Sequence, residues 1–187
     1  MEKKYVDQWI DYDGSQLTSL WALRRFAVQG DSIVAFEGGC LVEGENLVDQ
    51  VDYLAGDLIR SEHMLHFLVE HFDAGPDLAR TILRQRLLIC IVREALAELA
   101  PEAPVMRRGD DLYLGERKLS VSIATVSPVS GHIHAGLNVT GVTAPIPAVG
   151  LEEIGVAPLE FAWRVLDAYA AEEEKMSAAR TKVRWVP

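Results

Sequence analysis

Residues 117–139 read RKLSVSIATVSPVSGHIHAGLNV, and this stretch decides the fold. Two runs of alternating apolar residues, 118–126 and 132–139, lie on either side of a break at Ser127-Pro128. Alternation with a period of two is typical of strands that bury one face. We therefore expect two neighbouring antiparallel strands here.

Each of these predicted strands carries one apolar row and one polar row. Residues opposite each other in an antiparallel pair point to the same side of the sheet. A register with Ser122 opposite His134 brings the polar rows together, whereas a slip of one residue places Lys118 beside the apolar row. The resulting polar face comprises Lys118, Ser120, Ser122, His132, His134 and Asn138. Its small, hydrogen-bonding side chains are typical of a pocket lining, and the alternative is an ordinary solvated face.

The rest of the chain predicts an α+β fold, because helices come first and adjacent antiparallel strands follow. The first helix follows a capping box formed by Asp13 and Gln16 and ends near Gln29-Gly30. Further helices are expected at residues 62–72, 76–99 and 159–174. Strands are expected at residues 6–10, 31–36, 111–114, 117–126 and 132–139, with a short tail strand at 180–186.

Length and composition predict a single domain over residues 1–187, since 49% of the side chains are apolar. The net charge of −10 argues against nucleic-acid and anionic-membrane partners and favours a small-molecule ligand. No apolar run exceeds Leu87–Val92, and no apolar segment follows the first residues, so we expect a cytoplasmic protein. Cys40 and Cys90 fit neither a disulfide framework nor a zinc ribbon.

Just before the two strands lies Arg107-Arg108-Gly109-Asp110-Asp111. Two arginines at a glycine turn can clamp a phosphate or a carboxylate, because each guanidinium presents paired donors. The alternative interpretation is a charged surface turn.

These segments resemble known families. Residues 108–120 resemble a segment of the biotin and lipoate protein ligases, and residues 131–139 are similar to a strand of the lipoyl/octanoyl transferases. This resemblance covers about residues 107–151. The whole chain is also similar to a prokaryotic family of uncharacterised proteins, domain of unknown function family 366, on residues 13–17, 63–67 and 118–125.

The ligase resemblance implies a class II synthetase-like α+β fold with a mixed, largely antiparallel sheet flanked by helices. It also implies that Lys118 is the lysine that contacts the acyl-adenylate carbonyl and phosphate. Residues 61–66, SEHMLH, lack the glycines that cradle the adenylate in the ligases, so ATP is left open as a cofactor. Val149 stands where the transferases place a nucleophilic cysteine, which excludes that mechanism here.

The histidines offer a rival hypothesis. His63 and His66 share a face of the predicted helix, and His132 and His134 share a face of the predicted strand. Together the four predict a metal site and a metal-dependent enzyme. The alternative is that each histidine packs and hydrogen-bonds individually.

We therefore expect a small-molecule-binding protein or ligase-like enzyme that acts on a carboxylate or acyl ligand. Lys118 would stabilise charge on the ligand. The substrate-binding set comprises Arg107, Arg108, Asp110, Asp111, Ser120, Ser122, His132, His134 and Asn138. The alternatives are the metal-dependent enzyme and a non-catalytic metabolite-binding homologue, and a homo-oligomer is left open.

Overall fold

A five-stranded sheet forms the centre of the computed structural model, which describes residues 1–140 and 146–186. The strands are β1 (Glu2–Val6), β2 (Ser32–Val42), β3 (Ile59–His71), β4 (Val105–Arg108), β5 (Asp111–Leu114), β6 (Arg117–Lys118), β7 (Ser120–Val126) and β8 (Gly131–Asn138). The helices are α1 (Trp21–Phe26), α2 (Gln50–Ala55), α3 (Leu78–Leu99) and α4 (Pro158–Ala179).

The strand order in the main sheet is β1-β2-β3-β8-β7. Only the β1–β2 pair is parallel among the described strands of this sheet, and the other neighbours are antiparallel. Strands β4, β5 and β6 form a smaller antiparallel sheet. The α+β class with a mixed, largely antiparallel sheet is therefore confirmed. No helix in the described ranges is long and apolar enough to cross a membrane.

Helices α3 and α4 cover one face of the main sheet, which we call the helix-covered face. Asp77 caps α3 by accepting hydrogen bonds from the N–H groups of Ala79 and Arg80, and α4 begins with a proline. Phe161 of α4 is fully buried and packs edge-on against Phe67, with 6.4 Å between the ring centroids. This face therefore holds a dense apolar core.

The opposite face, which we call the loop-covered face, packs against residues 10–28 and 42–47. Residues 10–12 run alongside β2, where Tyr12 bridges Cys40. A Cβ at Gly38 would lie 1.8 Å from the carbonyl oxygen of Ile10, so only glycine allows this approach. The chain thus lays Tyr12 across the loop-covered face.

The predicted helix at residues 62–72 is wrong, because this segment is the central strand β3. Residues 64–69 are all buried, since β3 has neighbours on both edges and cover on both faces. A strand buried on both faces loses its alternation, and a short apolar run then fits a helix equally well.

Three other predicted elements also differ from the structure. The first strand occupies Glu2–Val6 rather than 6–10. The Gln16 side chain accepts a hydrogen bond from the Asp13 N–H, as a capping box requires. The helix α1 nevertheless begins only after Leu20, because the left-handed backbone of Leu20, with a φ of 65°, does not fit a right-handed helix. Residues 180–186 form no strand.

The predicted register of β7 and β8 is wrong by one residue. Ser122 lies opposite Ala135, and Ile123 lies opposite His134. The hydroxyl of Ser122 accepts from Gln85 of α3 and donates to the carbonyl of Asp110. These buried partners hold the β7 serine row on the helix-covered face, while the histidines of β8 lie on the loop-covered face.

Candidate functional site

A cavity of about 480 Å³ opens where β3, β6, β7 and β8 meet α2. A bulge in β3 shapes its floor. Between paired positions, β2 has one residue, Gly39, where β3 has two, Glu62 and His63. The extra residue turns both Ser61 and Met64 to the cavity, although residues three apart in a regular strand point to opposite faces.

Lys118 is the central cation of this cavity. Its Nζ lies 2.7 Å from Oδ2 of Asp111, and about a fifth of each side chain is exposed. Burial raises the pKa of the Asp111 carboxyl, and the neighbouring lysine opposes that rise. The lysine is therefore held by a counter-ion at the cavity wall.

The backbone of Lys118 is fixed by neighbours on two sides. It pairs with Tyr113 of β5, its N–H donates to the carbonyl of Pro147, and its carbonyl accepts from the N–H of Val149. Val149, which stands where the resemblance places the transferase cysteine, is fully buried, and its role is structural. These bonds hold the lysine main chain at a fixed place, which is what a group that contacts ligand requires.

Ser120 and Asn138 also line the cavity. The Asn138 side-chain amide donates to the carbonyl of Lys118 at 3.3 Å. The Ser120 hydroxyl accepts from the N–H of Leu112 at 2.9 Å. Both side chains therefore brace the wall that carries the lysine.

A narrower cavity of about 60 Å³ adjoins the first along Ile59 and Val121. Tyr12, Cys40 and His134 lie in its lining, which is mostly apolar. Tyr12 stacks on His134 with 3.8 Å between ring centroids. Burial raises the pKa of the Tyr12 phenol and raises that of the Cys40 thiol to about 12, so both groups are neutral at pH 7.

His134 pairs with His66 beneath this narrow cavity. Nε2 of His134 lies 3.0 Å from Nδ1 of His66, so one ring donates and the other accepts. Burial lowers the pKa of His66 to about 4 and also lowers that of His134. The two rings are therefore neutral, and this pair is a buried neutral hydrogen bond.

The four-histidine metal site is not supported, because the four rings do not converge. In β3, His63 points away from His66 and bonds Glu37 at 2.7 Å. His132 bonds Ser130 at 3.1 Å, away from the His66–His134 pair. Across residues 1–140 and 146–186, no three His, Cys, Asp or Glu residues lie close enough to hold a metal ion.

Several predicted ligand-binding residues lie outside both cavities. Arg108 pairs with Glu116 at 2.7 Å and stacks on Tyr113, and Arg107 bonds the carbonyl of Gly109. Both arginines belong to β4, which leads away from the main sheet, so the expected anion clamp does not reach the cavity.

Asp110 and His132 are also placed elsewhere. Asp110 faces α3, where it contacts Arg86 at 3.2 Å and Gln85. His132 lies in a buried cluster with Ser19, Ser130 and Glu70 that ties residues 19–20 to the sheet. Ser122 borders the narrow cavity, but its hydroxyl points to α3.

Sequence reasoning missed four polar residues that line the larger cavity: Asp52, Asp57, Arg60 and Ser61. Asp52 and Asp57 lie on or just after α2, a six-residue helix too short to give a helical pattern. Arg60 and Ser61 lie near the start of β3, the strand that the sequence pattern predicts as a helix from residue 62. The one available signal was Asp49, which caps α2 by accepting from the N–H groups of Val51 and Asp52.

Known proteins share this architecture at several levels of similarity. A protein of unknown function from Pyrococcus horikoshi is 43% identical, with a TM-score of 0.93 over 100% of this chain and 99% of that one. An uncharacterized protein of Methanocaldococcus jannaschii is 39% identical over 178 residues, which is 92% of this chain and 79% of that one.

At low identity the fold is that of the ligases. Biotin protein ligase from Aquifex aeolicus, solved with biotin and ATP, is 19% identical, with a TM-score of 0.59 over 92% of this chain and 71% of that one. Lipoate-protein ligase A bound with ATP is 14% identical, with a TM-score of 0.53 over 92% and 85%. The ligase-like fold implied by the sequence resemblance is thus confirmed. A family model described as "Domain of unknown function (DUF366)" matches residues 1–184, and the chain belongs to that family.

Proposed function

We propose that the larger cavity binds a small molecule through a carboxylate or acyl group, with Lys118 contacting its oxygen atoms. The observation that carries this proposal is the placement of the Lys118 ammonium at the cavity wall beside Asp111. A carboxylate would enter beside this pair and form a charge-assisted hydrogen bond with the lysine.

The surroundings of the lysine fit such a ligand. Asn138 supplies polar atoms on the same wall, while Met64, Val121 and Ile146 supply apolar surface. The Ser120 hydroxyl faces the helix-covered side, where it accepts from Leu112 and braces the wall. Apolar walls with a few placed polar groups are typical of small-molecule sites. An apolar tail would extend into the narrow cavity toward Tyr12 and His134, because the two cavities adjoin.

The same geometry suggests a chemical role for the lysine. A fixed ammonium stabilises negative charge that develops on a carbonyl or phosphate oxygen during acyl or phosphoryl transfer. ATP–pyrophosphate exchange distinguishes catalysis of such a step from binding of the ligand alone. The ligases that share the fold were solved with ATP, so adenylation of the carboxylate is the reaction to test first. The net charge of −10 disfavours binding to nucleic acid and to anionic membranes, so neither is part of the proposal.

The test combines direct binding with ATP–pyrophosphate exchange. Biotin, lipoate, octanoate and hexanoate would each be titrated calorimetrically, and exchange would be measured with and without each acid. The decisive variant is Lys118→Ala. Its matched control is Arg117→Ala, which removes a neighbouring cation that pairs with Glu153 outside the cavity.

We expect carboxylate binding that weakens about tenfold or more in Lys118→Ala and is unchanged in Arg117→Ala. Acid-dependent exchange that disappears in Lys118→Ala would identify a ligase-like enzyme. Binding without exchange would identify a binding protein. Equal binding by wild type and Lys118→Ala, or no binding of any acid, would overturn the proposal.

A further inference from the structure

The larger cavity carries charges of both signs on different walls. Lys118 and Arg60 come from the strands, whereas Asp52 and Asp57 come from α2 and the turn after it. The described charged lining therefore contains two cations and two anions. A ligand that carries only a carboxylate complements one wall and meets like charge on the other.

Among the described residues, the acidic wall forms no ion pair with the two cations of the cavity. The Asp52 carboxylate makes no hydrogen bond or ion pair with residues 1–140 or 146–186, and Lys118 contacts Asp111 instead. Burial raises the pKa of Asp52, the charges of Asp49 and Asp57 raise it further, and Lys118 opposes the rise. A positive group of a ligand would relieve this repulsion between carboxylates.

A second observation points to a ligand at the same place. Ser61 is 4% exposed and lines the cavity, and its Oγ has no hydrogen-bond partner among the described residues. A buried hydroxyl without a partner costs free energy, about 1–3 kcal/mol, so it marks a position where a bound group supplies the missing bond. The bulge in β3 is what turns this hydroxyl to the cavity.

We propose that the ligand of this cavity is an amino acid or a related amino carboxylate, with its carboxylate at Lys118 and its protonated amine at Asp52 and Asp57. This inference rests on the proposed function, since it keeps the carboxylate at Lys118. Ser61 completes the site, because its hydroxyl accepts a hydrogen bond from an ammonium or donates one to a carboxylate. Met64, Val121 and Ile146 contact the apolar part of the ligand.

The experiment compares matched ligands on the full-length chain by calorimetry. Hexanoate carries only the carboxylate, hexylamine only the amine, and 2-aminohexanoate and 6-aminohexanoate carry both at different separations. The variants are Asp52→Asn and Lys118→Met. Glu174→Gln is the control, because it removes one negative charge from the exposed surface of α4.

We expect one of the two aminohexanoates to bind about tenfold or more tightly than hexanoate. Asp52→Asn abolishes this advantage and leaves hexanoate binding unchanged or tighter, while Glu174→Gln preserves the advantage. Lys118→Met weakens hexanoate and the aminohexanoates alike.

The opposite results separate this inference from the proposed function. Binding of hexanoate that is equal to or tighter than that of both aminohexanoates would overturn the amine inference and leave the carboxylate site standing. Binding of hexylamine and the aminohexanoates with no dependence on Lys118 would overturn the carboxylate site. Failure of all four ligands to bind would overturn both. Thermal unfolding of each variant would verify that it is folded.

Discussion

The two faces of the main sheet differ in what covers them. The helix-covered face packs against the long helices α3 and α4, and its largest buried side chains are aliphatic or aromatic. The loop-covered face packs against residues 10–28 and 42–47. Both cavities of the candidate site lie there, and Asp52 of α2 lines each of them. Regular helices fill space efficiently, whereas irregular segments leave gaps and present polar groups. The dense apolar core and the candidate site therefore lie on opposite faces of the main sheet.

The largest expected effect lies on the helix-covered face. Phe161→Ala removes a fully buried ring that packs on Phe67, and we expect a loss of about 3–5 kcal/mol in the free energy of unfolding. Urea denaturation measures it. The control is Leu159→Ala on the same helix, which removes a side chain that is 51% exposed and should cost well under half as much. Equal losses of unfolding free energy in the two variants would contradict the difference in burial between Phe161 and Leu159.

The next effect lies on the loop-covered face. Gly38→Ala places a methyl group 1.8 Å from the Ile10 carbonyl oxygen, which is backbone and cannot turn aside. We expect a loss of about 2–3 kcal/mol in urea denaturation, together with weaker ligand binding, because Tyr12 shifts with its segment. Gly39→Ala is the matched control, since its nearest neighbour is the Asp11 side chain at 3.0 Å. A Gly38→Ala variant with unchanged stability in urea would show that residues 10–12 do not approach β2 as described.

The third effect is a pH dependence of the free energy of unfolding, which arises from histidines on the loop-covered face. His66 has a pKa of about 4 when folded and 6.5 as its ordinary value, and the pKa of His134 is lowered too. The unfolded chain therefore binds protons first as the pH falls. We therefore expect the free energy of unfolding to be highest above about pH 6.5 and to decline below it, by about 1.4 kcal/mol per pH unit for each such histidine.

Urea denaturation between about pH 7.5 and pH 5 tests this dependence, because carboxyl groups contribute little over that range. His66→Asn removes one of three rings whose pKa is lowered by burial, the others being His134 and His132, and should reduce the slope. An unchanged slope in His66→Asn would contradict the assignment of the pH dependence to this pair.

The smallest effect concerns the charge balance at the cavity. Asp111→Asn removes the counter-ion of Lys118 but keeps the side-chain shape, so we expect carboxylates such as hexanoate to bind a few fold more tightly. Glu116→Gln removes the partner of Arg108 outside the cavity and should leave binding unchanged. Calorimetric titration of the two variants side by side measures the difference, and weaker binding in Asp111→Asn would show that Asp111 positions the lysine.

The elements with strong local signals were predicted correctly. Helix α3 has an aspartate cap and a long apolar pattern, and β5 meets β6 at the predicted turn Gly115-Glu116. Lys118 and Asn138 both line the larger cavity, and their role in ligand binding stays a prediction. These features follow from neighbouring residues, so local sequence carries the information.

The elements that depend on distant partners were not predicted. The sequence pattern predicts a helix where β3 lies, because the burial of β3 on both faces comes from other parts of the chain. The arginines at residues 107–108 were assigned to the site because their chemistry suits an anion, but the direction of β4 carries them elsewhere.

The sequence by itself determined the α+β class, the two long helices and the lysine on the strand near Ser120, because hydrophobic periodicity and turn residues act over short distances. The tertiary structure alone decided which residues share the site. The register of β7 depends on Gln85 and on Leu112, which hold its serines on the helix-covered face. Asp52 and Ser61 line the same cavity as Lys118 only because α2 and the bulge in β3 lie at the same end of the sheet. A one-residue change in pairing reverses the face of every side chain in a strand, and long-range contacts make that choice.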